Sequence, residues 1–293
     1  MSSFYGSHVG FFGGGVGTAG PPIPEAEVIE QNGNLTSHWD FSKWAQNVGT
    51  TWNTSGTTLP DTSGTNIGSS STTPSMYFTT TSTSYDIEVG SMGTDSLKTL
   101  QRNDSTSQNG GAECWGAPAY PNITSSSDPL TIAFVLKPIV VRSAWNRVCT
   151  GAWDSVGSYS GAVVFINSSY SNGNFRYVNT GTATTTSGYL KPVSPNIPSY
   201  STDLWILMWS FQGTGMRTIY KKGSNASRSY SGTASSTRYY GTETDANRRT
   251  YAFEHSYYNG CGSVQVGEIA VWSEYWATSD METLVSNLYD KWS

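Results

Sequence analysis

The chain has 293 residues, a formal net charge of −5 and only 13% charged residues, about half of the usual ~25%. A chain of this length can bury a substantial core without disulfides or metals. Acidic residues outnumber basic ones, so the chain lacks the excess of positive charge that binds phosphate backbones. We therefore expect no nucleic-acid partner. No apolar run approaches the ~20 residues that span a bilayer, so we expect no membrane insertion. The abundance of Ser, Thr and Gly excludes a helical bundle.

Residues 1–34 differ from the rest of the chain, because glycines there are interleaved with aromatic residues and are followed by several prolines. The aromatic residues are Phe4, Tyr5, Phe11 and Phe12. A segment of this composition cannot form a core of its own, yet large aromatic rings are costly to leave in water. We therefore predict an extended anchoring arm over 1–34, whose aromatic residues bind a surface of the same domain or of a neighbouring subunit.

From Leu35 onward, short apolar or alternating segments separated by polar turns predict strands. Leu204 to Phe211 and Met216 to Lys222, joined by the turn 212–215, form the clearest predicted hairpin. Because no helices alternate with the strands, we predict one antiparallel sandwich domain over 35–293. The other predicted strands are Met76 to Thr80, Tyr85 to Val89, Ala112 to Gly116, Thr131 to Lys137, Asn146 to Trp153, Ala162 to Ile166, Asn174 to Asn179, Arg238 to Gly241, Thr250 to His255 and Val264 to Trp272.

The carboxyl terminus has the pattern of an amphipathic helix over 279–292. Ser279 and Glu282 have the spacing of a capping box, which predicts the start of the helix at Ser279. The apolar residues recur at helical spacing, and we expect this face, including Trp292, to pack on the sandwich as core. They are Met281, Leu284, Val285, Leu288, Tyr289 and Trp292.

The strand Val266 to Trp272, which leads directly into a short capped helix, resembles the end of laminin-G-like and concanavalin-A-like lectin and glucanase domains. Three further segments are similar to that family in the same order: His38 to Phe41, Leu130 to Pro138, and the hairpin from Asp203 to Gly223. The resemblance implies an all-β, antiparallel, two-sheet jelly-roll sandwich with one C-terminal helix. Because this fold carries many functions, it does not settle the activity.

The aromatic, Gly-rich arm joined to such a domain resembles tailed-bacteriophage virion proteins, of the capsid decoration or the tail-fibre type. This resemblance implies a non-enzymatic structural protein whose partners are other virion proteins and copies of itself. It also implies assembly in the host cytoplasm and a final location in the virion. Cys114, Cys149 and Cys261 are odd in number and widely spaced, which favours the reduced thiols expected of that compartment.

The spacing of carboxylates argues against an enzyme. Glucanases of this fold carry Glu-x-Asp-x-Glu or Glu-x-Asp-x-x-Glu on one strand, because retaining hydrolysis needs two carboxyl groups. The nearest match begins with Ser84, so Asp86 and Glu88 lack the nucleophile. The three histidines accompany no Gly-x-Ser-x-Gly motif, which leaves a serine triad unsupported. A glycoside hydrolase remains an alternative to the non-enzymatic interpretation.

No cofactor is predicted. The resemblance leaves calcium open as a ligand, because related domains often hold it, but no Asp-x-Asp-x-Asp-Gly run supports a calcium site here. The abundance of aromatic residues favours contacts with a glycan or a protein, and host surface polysaccharide is one such partner. A free carbohydrate-binding lectin is therefore the alternative function. For Trp115 and Trp153, a core position is an equally good interpretation. The candidate aromatic residues are Trp115, Tyr120, Trp153, Tyr239, Tyr240, Tyr257 and Tyr258.

Overall fold

The computed structural model is mostly β, with two antiparallel sheets and a C-terminal helix. It describes residues 35–44, 51–52, 58–59, 76–80, 86–103, 112–116, 127–139, 145–153, 161–167, 174–180, 189–190, 202–233, 249–253 and 264–293. The predicted arm over 1–34 and the predicted strand Arg238 to Gly241 lie outside these residues.

Seventeen strands and two helices make up the described chain. The first helix, α1, is a single turn at Phe41–Trp44, and α2 spans Thr278–Trp292. Neither of these described helices is long and apolar enough to cross a membrane. The strands are β1 Leu35–Asp40, β2 Thr51–Trp52, β3 Thr58–Leu59, β4 Met76–Thr80, β5 Asp86–Met92, β6 Leu97–Asn103, β7 Ala112–Gly116, β8 Leu130–Pro138, β9 Trp145–Trp153, β10 Gly161–Asn167, β11 Asn174–Thr180, β12 Tyr189–Leu190, β13 Trp205–Gln212, β14 Gly215–Lys222, β15 Arg228–Thr233, β16 Arg249–Phe253 and β17 Val264–Trp272.

The strands pair into two sheets. Sheet A has the order β15-β14-β13-β8-β17-β6-β5-β2, with β1 also paired to β17. Sheet B has the order β12-β11-β10-β9-β16-β7-β4-β3. The hairpin of β13 and β14 confirms the predicted turn, since Gln212 pairs with Gly215 across two turn residues. Gly213 lies at φ +56° there, a backbone conformation that glycine adopts at little cost.

Both faces of the central strands β8 and β13 of sheet A are buried, which explains why these strands are nearly continuous apolar runs in the sequence. One face packs against α2, where Val135, Met208 and Trp272 join the apolar stripe of the helix in a single core cluster. The opposite face, which includes Phe134 and Trp209, is buried as well. Trp292 is fully buried, so its predicted core position is confirmed.

Helix α2 begins one residue earlier than predicted. Its N-cap is Ala277, which makes no side-chain cap hydrogen bond, so the predicted capping box at Ser279 is wrong. Instead, the carbonyl of Ser279 accepts a hydrogen bond from the Thr283 hydroxyl. The helix is held by the burial of its apolar face rather than by a cap, which is how most helices in proteins are stabilised.

Strand β17 is the centre of this arrangement, because it has neighbours along both of its edges. It pairs with β8 on one edge, while β6 and β1 share the other. The register shifts between Val266 and Glu268, so Gly267 forms an irregularity in the strand. A Cβ atom at Gly267 would lie only 2.8 Å from the ring of Trp292. Glycine therefore lets the final turn of α2 approach the sheet closely at this point.

Candidate functional site

A buried group of charged side chains joins β1, β17 and the last turn of α2. Lys291 Nζ donates hydrogen bonds to Asp40 Oδ2 at 2.6 Å and to Glu268 Oε2 at 2.8 Å. His38 Nε2 lies 2.7 Å from Glu268 Oε1, and Trp292 Nε1 donates to Glu268 Oε2 at 2.9 Å. We call these five residues the ion cluster.

The pairing of β1 with β17 explains why a positive charge is needed in the ion cluster. The register of β1 and β17 places Asp40 directly opposite Glu268, and like charges in opposite positions destabilise a sheet. Lys291 lies between the two carboxylates and supplies the compensating charge. The second oxygen of Asp40 accepts hydrogen bonds from the backbone N–H and the hydroxyl of Ser42, at 3.1 and 2.6 Å, where α1 begins.

The ionised forms of Glu268 and Lys291 are both favoured by their neighbours. Burial by itself would raise the pKa of Glu268, but the Lys291 ammonium and the hydrogen bond from His38 outweigh burial and hold this pKa well below its ordinary value of 4.5. Burial by itself would lower the pKa of Lys291, yet the carboxylates of Glu268 and Asp40 raise it above 10.5. The two groups therefore form a true ion pair.

The ion cluster is closed to ligands. The exposed fractions of Asp40, Glu268, Lys291 and His38 are 1%, 2%, 4% and 7%. A carboxylate that is bound to an ammonium and shielded from solvent can neither protonate a glycosidic oxygen nor attack a sugar. We conclude that the cluster fixes β1 and α2 to the central strand of sheet A.

A second group of side chains is accessible and lies where α2 meets the outer strands of sheet A. The guanidinium of Arg217 lies over the ring of Tyr275, 4.0 Å from its centroid. The ammonium of Lys221 lies over the ring of Tyr289, 4.2 Å from its centroid. All four side chains are half-buried, so part of each faces solvent. Such cation–ring contacts contribute about 0.5–1 kcal/mol of stabilisation at exposed sites. The contacts therefore restrict the motion of the two tyrosine rings.

Strand periodicity places the two cations on one face of β14. Arg217 is opposite Ser210 and Lys221 is opposite Ile206, on the face of β13 that packs against α2. Four residues at ~3.3 Å each separate them by about 13 Å along the strand. Because Gly215 has no Cβ, the ring of Tyr275 fits beside it; a Cβ there would lie 3.2 Å from the Tyr275 hydroxyl.

The outermost strand of sheet A extends this surface with hydroxyl groups. In β15, Ser229 is opposite Ile219 and Ser231 is opposite Arg217, and both serines are exposed. Since β15 ends the order of sheet A, no described strand covers its outer edge. We call Arg217, Lys221, Ser229, Ser231, Tyr275 and Tyr289 the tyrosine–cation strip.

Of the residues predicted for binding, the structure describes Trp115 and Trp153. Trp115 lies in β7, opposite Tyr77 of β4 and Tyr251 of β16, so three aromatic residues share one register row of sheet B. Trp153 ends β9 opposite Arg249 of β16, which is also in sheet B. Outside the described residues lie Phe4, Tyr5, Phe11, Phe12, Tyr120, Tyr239, Tyr240, Tyr257 and Tyr258.

Sequence reasoning missed the ion cluster and the tyrosine–cation strip. A signal for the cluster did exist, because Lys291 falls three residues after Leu288, on the apolar stripe of the helix. Glu268 likewise interrupts an apolar strand. The strip carried no local signal, since Tyr275 and Arg217 are far apart in the chain. Among the described residues, no group of His, Cys, Asp or Glu side chains could hold a metal ion.

Comparison with known proteins adds a likeness of fold. No protein-family model and no curated protein sequence matches the chain. A sialidase from Trypanosoma rangeli is 9% identical with a TM-score of 0.52, over 89% of this chain and 34% of the sialidase. Domain 4 of the arabinanase AbnA from Geobacillus stearothermophilus, in complex with arabinotriose, is 14% identical with a TM-score of 0.50, over 86% of this chain and 98% of that domain.

The receptor-binding domain of a botulinum neurotoxin C/D mosaic serotype is 10% identical with a TM-score of 0.50, over 86% of this chain and 51% of that domain. The chain spans only 30–35% of the four sialidase chains that it matches. At these identities the likeness concerns the fold alone. The neighbours are β-sandwich folds found in carbohydrate-active and receptor-binding proteins, and this agrees with the predicted all-β class.

Proposed function

We propose that the chain is a non-enzymatic, lectin-like domain that binds carbohydrate. The observation that carries the proposal is the tyrosine–cation strip, where Tyr275 and Tyr289 are partly exposed and each is held beside a cation. Aromatic rings accept the apolar face of a sugar, while charged and hydroxyl side chains bind its hydroxyl groups. Rings already held in place lose little conformational entropy on binding, which favours affinity.

The fold supports this function. We infer that sheets A and B pack face to face as a concanavalin-A-like jelly roll. The face of sheet A opposite α2, with Phe134, Leu136 and Phe211 each no more than 2% exposed, requires a second layer to cover it. A domain of similar fold was solved with arabinotriose, which is consistent with carbohydrate binding by this architecture.

The carboxylates support a non-enzymatic role. Among the described side chains, Asp40 and Glu268 are held together by one lysine, and both are buried and engaged in ion pairs. For the alternative, a glycoside hydrolase, the candidate carboxylates from the sequence are Asp86 and Glu88 of β5. They begin a strand in which Glu88 is opposite Gln101 rather than opposite another carboxylate.

The proposal is tested with the full chain on a glycan array, followed by calorimetric titration of any hit. We expect sugar-dependent binding that weakens about tenfold in Tyr275→Ala, because the loss of one ring removes its contact area. The thermal unfolding curve of this variant serves as a check on folding. A chain that binds no glycan on the array, or that hydrolyses a polysaccharide in a Glu88-dependent manner, would contradict the proposal.

We further propose that this domain is displayed on a bacteriophage virion and is attached by the arm over 1–34. This setting is supported by the sequence, in which Phe4, Tyr5, Phe11 and Phe12 are spaced by glycines. Burial of large apolar side chains contributes about 1.5–3 kcal/mol each before ordering costs, which is enough for attachment. Deletion of residues 2–24 should prevent incorporation into virus particles while the domain stays folded. Normal incorporation of the deletion variant would refute the proposed attachment to the virion.

A further inference from the structure

The charge of the chain is unevenly distributed along the sequence that forms the hairpin strands of the tyrosine–cation strip. The stretch 204–242 contains five of the 16 Lys and Arg residues and none of the 21 Asp and Glu residues. Four of these five cations lie on the hairpin strands β14 and β15: Arg217, Lys221, Lys222 and Arg228. Lys222 pairs with Asp203 at 3.5 Å, and the strand register places Lys222 and Arg228 on the other face of the sheet. Arg217 and Lys221 are therefore the two cations that the strip itself contributes.

The cations of the strip keep donors for a ligand. Arg217 donates one hydrogen bond through Nη1 to the carbonyl of Trp276 at 2.5 Å. Lys221 donates one through Nζ to the carbonyl of Asn225 at 2.8 Å. A guanidinium has five N–H donors and an ammonium has three, so each cation can also bind an acidic group. Ser229 and Ser231 add exposed hydroxyl groups beside them.

We propose that the tyrosine–cation strip binds an acidic polysaccharide, with Arg217 and Lys221 pairing with its anionic groups and Tyr275 and Tyr289 contacting its sugar rings. This inference rests on the proposed carbohydrate-binding function and names its ligand class. The two residues are about 13 Å apart along the backbone of β14, so the strip can contact a chain of several sugars at two anionic positions.

A nucleic acid fits the strip less well. Proteins that bind duplexes by charge contact ~6–10 phosphates, whereas the strip offers two cations on one face of a chain with a net charge of −5. The serine hydroxyls and the tyrosine rings match a ligand built of sugar rings and rich in hydroxyl groups. The strip is therefore better suited to an acidic glycan than to a polyphosphate.

The experiment measures the full chain by affinity electrophoresis in gels containing polygalacturonate, dextran sulfate or neutral dextran. The first two polymers distinguish carboxylate from sulfate as the anionic group, and retention by either supports the proposal. Lys221→Gln and Arg217→Lys are the test variants. Lys98→Gln, an exposed position in β6, four strands away from β14 in sheet A, is the matched control.

We expect the acidic polymers to retard the chain and Lys221→Gln to weaken the interaction about tenfold, because one charge-assisted hydrogen bond is lost. Arg217→Lys keeps the charge but not the planar fork, and it should weaken binding less than Lys221→Gln. Lys98→Gln should bind like the unmodified chain, and added salt should weaken all binding. Circular dichroism of each variant confirms that it is folded.

Three results would overturn the inference. Equal retention by dextran and by the acidic polymers would refute an acidic ligand but leave carbohydrate binding intact. Equal loss in Lys221→Gln and Lys98→Gln would refute the location. Tighter binding to a single-stranded oligonucleotide, lost in Lys221→Gln, would assign the strip to nucleic acid. If no polysaccharide binds in the gels or on the array, the proposed function itself fails.

Discussion

Replacement of Lys291 by Met is expected to lower the free energy of unfolding by about 3–5 kcal/mol. The substitution keeps an unbranched side chain that is one atom shorter and removes the charge that lies between Asp40 and Glu268. Two buried carboxylates would then face each other across β1 and β17 without the ammonium that lies between them. Urea unfolding followed by circular dichroism measures the change through the shift of the midpoint.

Lys221→Met is the matched control for this experiment. Lys221 also contacts α2, through the ring of Tyr289, but it is half-buried rather than enclosed. Its replacement should cost less than about 1 kcal/mol, as for other exposed pairs. If Lys291→Met and Lys221→Met lowered stability by the same amount, the ion cluster would not have the structural role assigned to it.

The ion cluster also predicts how stability depends on pH. Because the folded pKa of Glu268 lies below 4.5, its contribution is fully present above pH 4.5 and is lost as the pH falls below that value. Because the folded pKa of Lys291 lies above 10.5, its contribution is fully present below pH 10.5 and is lost as the pH rises further. Glu268→Gln should flatten the acid limb of the stability curve, and an unchanged slope would contradict this assignment.

Replacement of Trp292 by Ala is expected to destabilise the domain by about 3–5 kcal/mol, the usual cost of removing a fully buried large aromatic side chain. The ring fills the space above Gly267, and its Nε1 donates to Glu268. Both the packing of α2 on β17 and one hydrogen bond of the ion cluster would be lost. Chemical unfolding monitored at several wavelengths measures the effect.

Trp292→Phe helps to separate the two contributions, because it keeps the six-membered ring beside Gly267 and removes the five-membered ring with its hydrogen bond. It should cost about 1.5–3 kcal/mol, since the acceptor is a charged group. Gly267→Ala should cost about 1–3 kcal/mol by overpacking against the ring. In a Trp292→Leu background the same change should cost less, and a strictly additive double-mutant cycle would refute the close contact.

Much of the secondary structure could be predicted from local patterns. The apolar run Leu204 to Phe211 and the Gly-containing turn after it define β13 and its hairpin with β14, as the structure confirms. Strand β6 was missed, because Leu97–Asn103 has only two apolar residues and takes its burial from its neighbours β5 and β17. The hydrophobic periodicity of the sequence cannot reveal a strand whose partner strands supply most of its apolar contacts.

The amino-acid order by itself determined the all-β class, the polar turns and the amphipathic C-terminal helix, since each depends on residues within a few positions of one another. Only the tertiary structure decided that His38 and Glu268, 230 residues apart, share a hydrogen bond and that Lys291 neutralises Asp40. It also decided that Tyr275 and Tyr289 lie beside cations of β14. Such contacts depend on strand order and register, which set distances between remote residues and leave no trace in local periodicity.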